Sequence, residues 1–440
     1  MAAPQKSVTT LTERYGELRP HLPGTALHWL QYLRDKSLAT FDDTGLPTVR
    51  EERWKYTNLN RLRRSGFVPA PLASPTAIDS LPIGNALAID AYKIVLVNGV
   101  VNASLSDLDQ LPEGVTLDGT DTLPLDKFSQ LLNFERTPVA ALNTASFADA
   151  VCLYVRENAL IEKPIHLISL GGQAVDPVAF HPRFLIDAGA GSHATFIESH
   201  VGLGGESYFS NSVVEIGIGR NAVLQHYKLQ NEQQDAYHIA ATEVRLSEGS
   251  TYENLVLTLG AQLSRNEINT EILGPNAECR LFGGYLLKDK QHGDHTTTID
   301  HAAPECRSRE IYKGVLDGRA RGVFQGKVLV RKDSQKTDGH QLNQAILLSQ
   351  GAEIDSKPEL EIYADDVKCS HGATAGELDE DALFYLQSRG IDIAGARNLL
   401  IGAFLQSVIE EISNAPVQEA MGGIMSRWLD TGLGGDTNHV

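Results

Sequence analysis

Cys369 and His371 lie two positions apart in DDVKCSHGATAG, residues 365–376. Positions i and i+2 share a face in an extended strand and diverge on a helix, so VKCSH as a strand sets a thiol beside an imidazole. Thiolate and imidazole suit soft or borderline metals and iron-sulfur centres. Two donors do not complete a tetrahedral site, and no other cysteine is near in sequence. If the pair binds metal, the missing ligands come from elsewhere in the fold or from another chain. Judged on spacing alone, a core thiol beside a satisfied imidazole is the favoured reading, because free cysteine is among the most buried residue types.

The other candidate groups are weaker. QHGDHTTTIDHAAPECRSR offers His292, Asp294, His295, His301 and Cys306, but no two of these match a zinc-finger or HExxH spacing. The stretch reads as a Thr- and His-bearing polar turn. GVFQGKVLV resembles a phosphate loop superficially: Gly322 stands one residue too close to Gly326-Lys327, and Val328 replaces the hydroxyl that would hold magnesium. No nucleotide is expected to bind this chain. GLGG at 202–205 reads as a turn, and no GxSxG elbow is present. A glycan-active enzyme is the main rival, since parallel β-helices carry paired carboxylates. Asp365 and Asp366 are adjacent, though, and as strand residues would face opposite ways.

The elements that must position Cys369 and His371 follow from pattern. LTERYGELR and ALHWLQYLRDKSLATF have helical periodicity, and the Pro-, Ala- and Ser-rich VPAPLASPTAIDSLP reads as a linker. AYKIVLVNGVV is a β-branched strand run ending at Asn-Gly. From about residue 160, units such as RFLIDAGAGSHATFIES, SVVEIGIGRNAVLQHYKL and TEVRLSEGSTYENLVLTL repeat a strand, a Gly-containing break and a second strand about every 25 to 30 residues. With no helical stretch between them, a β-solenoid or an antiparallel sandwich remains. The alike segments and the lack of tight hairpin pairs favour the solenoid. After His371 the period becomes helical again: Asp379 caps a helix with Glu380 and Asp381 in its first turn and Gly390 at its end. A second helix follows, with Ile393, Ala396, Leu400, Ala403, Phe404 and Val408 expected on one face.

Composition bounds the class. The 440 residues are 42% hydrophobic and 21% charged, with net charge −18. A folded protein is expected, and long-range repulsion argues against nucleic acid or anionic membranes as partners. No segment approaches the roughly 18 apolar residues of a membrane span, and the N-terminus lacks an apolar signal core, so the cytoplasm is the expected location. Cys152, Cys279, Cys306 and Cys369 are widely spaced without a CxxC, which argues against a disulfide framework.

EERWKYTNL, RSREIYKGVLDGRARGVFQGKVLV and QKTDGHQLNQAILLSQGAEIDSKPELEIYADDVKCSHGATAGELDEDALFYLQSRGI resemble the SufB/SufD family of iron-sulfur cluster assembly scaffolds, nearly continuously over 308–405. The resemblance implies an N-terminal helical domain with linker (1–85), a right-handed parallel β-helix (86–372) and a C-terminal helical domain (373–440). Within the family the chain is similar to the SufD type. SufB-type chains carry a cluster-building cysteine in the strand matching NQAILLS, where this sequence has Gln344, and usually a HEAT-like tetrad where this one reads His371-Gly372-Ala373-Thr374. The resemblance therefore implies a non-catalytic subunit of a SufB–SufC–SufD complex. It would meet iron or an iron-sulfur cluster transiently at the SufB interface through His371, with Cys369 auxiliary. It would receive the SufC ATPase on Leu383, Phe384, Tyr385, Arg389, Leu399, Leu400 and Phe404. An exposed strand edge would also allow a homodimer.

Overall fold

The computed structural model describes residues 13–72 and 85–432; the first twelve residues and most of the expected linker, 73–82, lie outside them. Tyr237 pairs in parallel with Phe209 and Leu263, Leu263 with His292, His292 with Arg321, and Arg321 with Glu353. Each strand thus bonds to the strand one coil later, at steps of 26 to 32 residues. The result is a parallel β-solenoid of about eight turns, built from an 11-stranded and a 10-stranded sheet. The sandwich alternative falls on this register.

The Gly- and Asn-bearing breaks are the corners. Asn221, Gly249 and Asn276 take φ of 56°, 65° and 60°, the left-handed region these residues enter with least strain. The Asn221 amide donates to the Glu248 carbonyl and that of Gly249 to Pro275, so the inter-coil ladder continues round the bend. Glu305 and Lys336 hold the same backbone in later coils, at φ of 59° and 60°.

Alternation divides the strands between lumen and exterior. Phe196, Tyr252, Leu281, Tyr285, Tyr312 and Phe324 pack with one another in the lumen. Tyr227, Leu229, Leu255, Phe282 and Val315 face outward from the 10-stranded sheet. The helices among the described residues include α1 (His28–Thr44), α2 (Asn60–Arg64), α3 (Pro138–Ser146), α4 (Glu380–Ser388), α5 (Ile393–Ile409) and α6 (Ala415–Gly432). The N-terminal residues Phe41, Trp54 and Leu62 and α3's Val139 cover the 11-stranded sheet, while Ile401, Leu405, Val408 and Met421 of α5 and α6 cover the 10-stranded sheet.

Several expectations need correction. Helix α3 was not foreseen: all nine residues of PVAALNTAS, Asn143, Thr144 and Ser146 among them, are buried, so no solvent-facing side marks a period. On α5 the buried residues are Ala396, Ile401, Leu405, Val408 and Ile409. Ile393 and Ala403 are exposed instead, because IAGARNLLIGAFLQSVI is apolar on more than one side. The supposed polar turn around His295 is a strand, His292–His301, buried on both faces. Asp365 and Asp366 lie in a bend between strands, so the opposite-face argument does not apply to them. Val68–Pro69, assigned to the linker, form a short strand paired with Val178 and Ala179.

The two ends of the solenoid differ. At the N-terminal end each sheet finishes in an antiparallel strand, Val100–Val101 against Leu96–Val97 through the Asn98-Gly99 turn, and Val115–Asp118 against Cys152–Val155. At the C-terminal end the sheets finish in the parallel strands Glu353–Ile362 and Lys368–Gly376.

Candidate functional site

Cys369 and His371 stand on Lys368–Gly376, the edge strand of this open end. Its inner neighbour is Asp338–Leu347, with Gly339 opposite Cys369 and Gln341 opposite His371. One rung further in, Ser308 lies opposite Gly339 and Glu310 opposite Gln341. Leu281, which packs in the lumen, continues the second column. Both residues therefore share the lumen-facing side of the last coil, as the i, i+2 spacing predicted. His371 is exposed at the mouth and Cys369 is half-buried.

The Cys369 side chain packs beside Val328, Val330, Ala364 and Leu360. Burial pushes its thiol above the ordinary value; the Gly339 amide opposes this and the Asp338 charge adds to it. A thiol so placed stays protonated at neutral pH and needs a metal or a partner cation to ionise. His371 carries the accessible lone pair of the doublet.

Beneath His371 the lumen is polar. Gln341 Nε2 donates to Glu310 Oε2 at 2.6 Å, and Thr297 Oγ1 donates to Glu310 Oε1 at 2.5 Å. Gln341 and Glu310 are both buried. Burial pushes Glu310 up to about 7, with the two hydrogen bonds working against it. Its position was not legible as a site, because Glu310, Gln341 and His371 are a coil apart in sequence and only the register stacks them.

The remaining sequence candidates do not join this site. Thr57 Oγ1 bonds His292 Nε2 at 2.9 Å and donates to Asp294, which also pairs with Arg265, fastening the N-terminal segment to the sheet. His295 sits in the lumen between Tyr285 and Tyr312, ring centroids 5.3 and 5.2 Å away. His301 Nε2 bonds Ser308 Oγ at 2.9 Å, and Cys306 Sγ lies 3.3 Å from the Gly274 carbonyl. Among the described residues no three His, Cys, Asp or Glu side chains are placed to hold a metal ion. The phosphate-loop look-alike is the strand Arg321–Val330.

The helical candidates form a second surface. Phe384 is 72% exposed, Tyr385 57% and Leu399 54%. Arg389 lies over the Tyr385 ring at 5.2 Å. Leu383 and Leu400 are half-buried. Phe404 belongs elsewhere: it packs against the cluster under α5, with Lys313 Nζ 4.6 Å over its ring.

Two family models match the chain. Residues 5–167 fit the SufBD protein N-terminal region, and residues 170–404 fit the SufBD core domain of SUF system FeS cluster assembly. The chain belongs to the SufBD family. It is 34% identical over 382 residues to the iron-sulfur cluster assembly protein SufD of Escherichia coli K12, covering 86% of this chain and 88% of that one. It is 33% identical over 389 residues to the SufBD family protein slr0076 of Synechocystis, covering 85% of each. The chloroplastic protein ABCI7 of Arabidopsis thaliana matches at 32% over 403 residues, 89% of this chain and 84% of the relative. A SufD-like member of the family thus carries its Cys/His doublet on the edge strand of its open end. No helix among the described residues is long and apolar enough to cross a membrane.

Proposed function

We propose that the chain is the SufD-like, non-catalytic subunit of a cytoplasmic SufB–SufC–SufD scaffold on which nascent iron-sulfur clusters are assembled. The working division is a helical N-terminal region to residue 85, the solenoid to 372 and the helical remainder. A SufB-like subunit joins at the open end, where His371 binds iron or the cluster transiently and Cys369 assists. The cluster is cargo: two donors hold it only while the partner supplies the others. Leu383, Phe384, Tyr385, Arg389, Leu399 and Leu400 receive a SufC-like ATPase, which carries the nucleotide. Isolated, the same edge pairs with a second copy.

One observation carries the reading. An inward-facing column of the solenoid ends in an exposed imidazole on a strand that has no outer neighbour among the described residues. The test is co-purification with SufB and SufC, followed by iron and sulfide analysis. His371→Ala is expected to abolish iron and sulfide while leaving the complex intact; unchanged content rejects the reading. A pairing-only subunit is favoured by the aliphatic surroundings of Cys369, and under it the same substitution weakens association without changing the iron held per complex.

A further inference from the structure

Gln341, opposite His371 on the neighbouring strand, has an unfinished hydrogen bond. Its Nε2 is committed to Glu310, whose ionised form, dominant above about pH 7, only accepts and so fixes which end of the amide faces inward. Its Oε1 is buried and has no partner among the described residues. The amide is held in place: a Cβ on Gly326 would lie 1.9 Å from Nε2 and 2.7 Å from the Phe324 ring. The next residue outward on the same face is His371, one strand spacing of about 4.8 Å away. A buried carbonyl oxygen without a donor is costly, and a metal-binding histidine commonly gives its second ring N–H to such an oxygen, which sets its tautomer and orientation.

We infer that Gln341, anchored by Glu310, is the positioning residue for His371: its Oε1 accepts one imidazole N–H and turns the other ring nitrogen outward as the donor to iron. This rests on the reading of His371 given above. It assigns Glu310 and Gln341, two residues with no access to the cargo, a role in presenting the ligand. The stack converges on Glu310, whose carboxylate accepts from the Thr297 hydroxyl on one side and from the Gln341 amide on the other, leaving the Gln341 oxygen to accept from the His371 ring.

The test uses the full chain labelled with 15N-histidine, with His371 assigned by the spectrum of His371→Ala, and ferrous iron affinity measured against a competing chelator in the complex with SufB and SufC. In the wild type one ring tautomer is expected to dominate. Gln341→Leu is expected to release it into a tautomer mixture and weaken iron retention about 10- to 100-fold, with complex formation unchanged. Glu310→Gln keeps an acceptor for the Gln341 amide and should stay close to wild type, whereas Glu310→Leu should follow Gln341→Leu. Wild-type tautomer and affinity in Gln341→Leu overturn the inference. A wild-type His371 ring exchanging freely between tautomers overturns it without any variant having to fold. His371→Ala in the iron assay separates the two claims: retained iron there removes His371 as a ligand, while the ring spectrum still decides whether Gln341 holds it.

Discussion

Gly326 lacks a side chain where Gln341 needs room. Gly326→Ala forces aside the buried amide that bonds Glu310, and overpacking of this kind costs about 1–3 kcal/mol. A lowered thermal midpoint is expected, with the His371 ring signal changing although Gly326 lies on the other sheet, in Arg321–Val330. An unchanged midpoint and ring signal would show that the lumen yields there at no cost. The phosphate-loop resemblance of this stretch thus has a packing origin: its second glycine makes space in a lumen. The shared strand face of Cys369 and His371 was legible because alternation is local, whereas the stacking of Glu310 and Gln341 beneath it was not, since nothing in single-chain spacing says which residues of successive coils share a column.

At the scale of elements, the C-terminal helices were read best where capping chemistry governs. Asp379 Oδ1 accepts from the Ala382 amide at 3.0 Å, and Gly390 takes φ +88° just beyond α4. Asp379→Ala is expected to cost about 1 kcal/mol, seen as faster amide exchange over 380–388 with protection of the solenoid strands unchanged. Equal exchange in α4 would mean that packing, not the cap, holds it. Since Phe384 and Tyr385 ride on α4, the same variant should bind a SufC-like partner more weakly. The seam of α5 was misread because periodicity fails in a helix apolar nearly all round. Helix α3 was missed because its polar residues Asn143, Thr144 and Ser146 are buried with its apolar ones.

For the whole molecule, burial of ionisable groups dictates its response to acid. Desolvation lowers His166 and His181 to about 3, and His238, His292, His295 and His301 to about 4. Unfolded, each binds a proton below about 6.5, so the unfolded state binds more protons and stability falls as pH drops from 6.5 towards 4. Glu243 and Glu310 oppose this: burial raises them to about 8 and 7, so between 4.5 and those values the folded state holds protons that the unfolded one releases. Six histidines less two carboxyls leaves a net uptake of about four protons on unfolding near pH 5, or a slope of about 5 kcal/mol per pH unit at most. Urea midpoints measured from pH 7 to 5 should fall steeply; a flat profile would require these histidines to be solvated. The solenoid itself was legible from the repeat. The fastening of its N-terminal cover was not, because Arg53–Glu267 and Arg136–Glu243 join residues far apart in sequence.

The antiparallel strands that finish both sheets at one end also govern how many copies can associate. A rod that could accept strands at either tip would polymerise head to tail, but one tip here is already plugged by its own chain. Growth through the free tip alone would stop at two, so under the proposed pairing a population lacking its companion is expected as closed pairs rather than fibres.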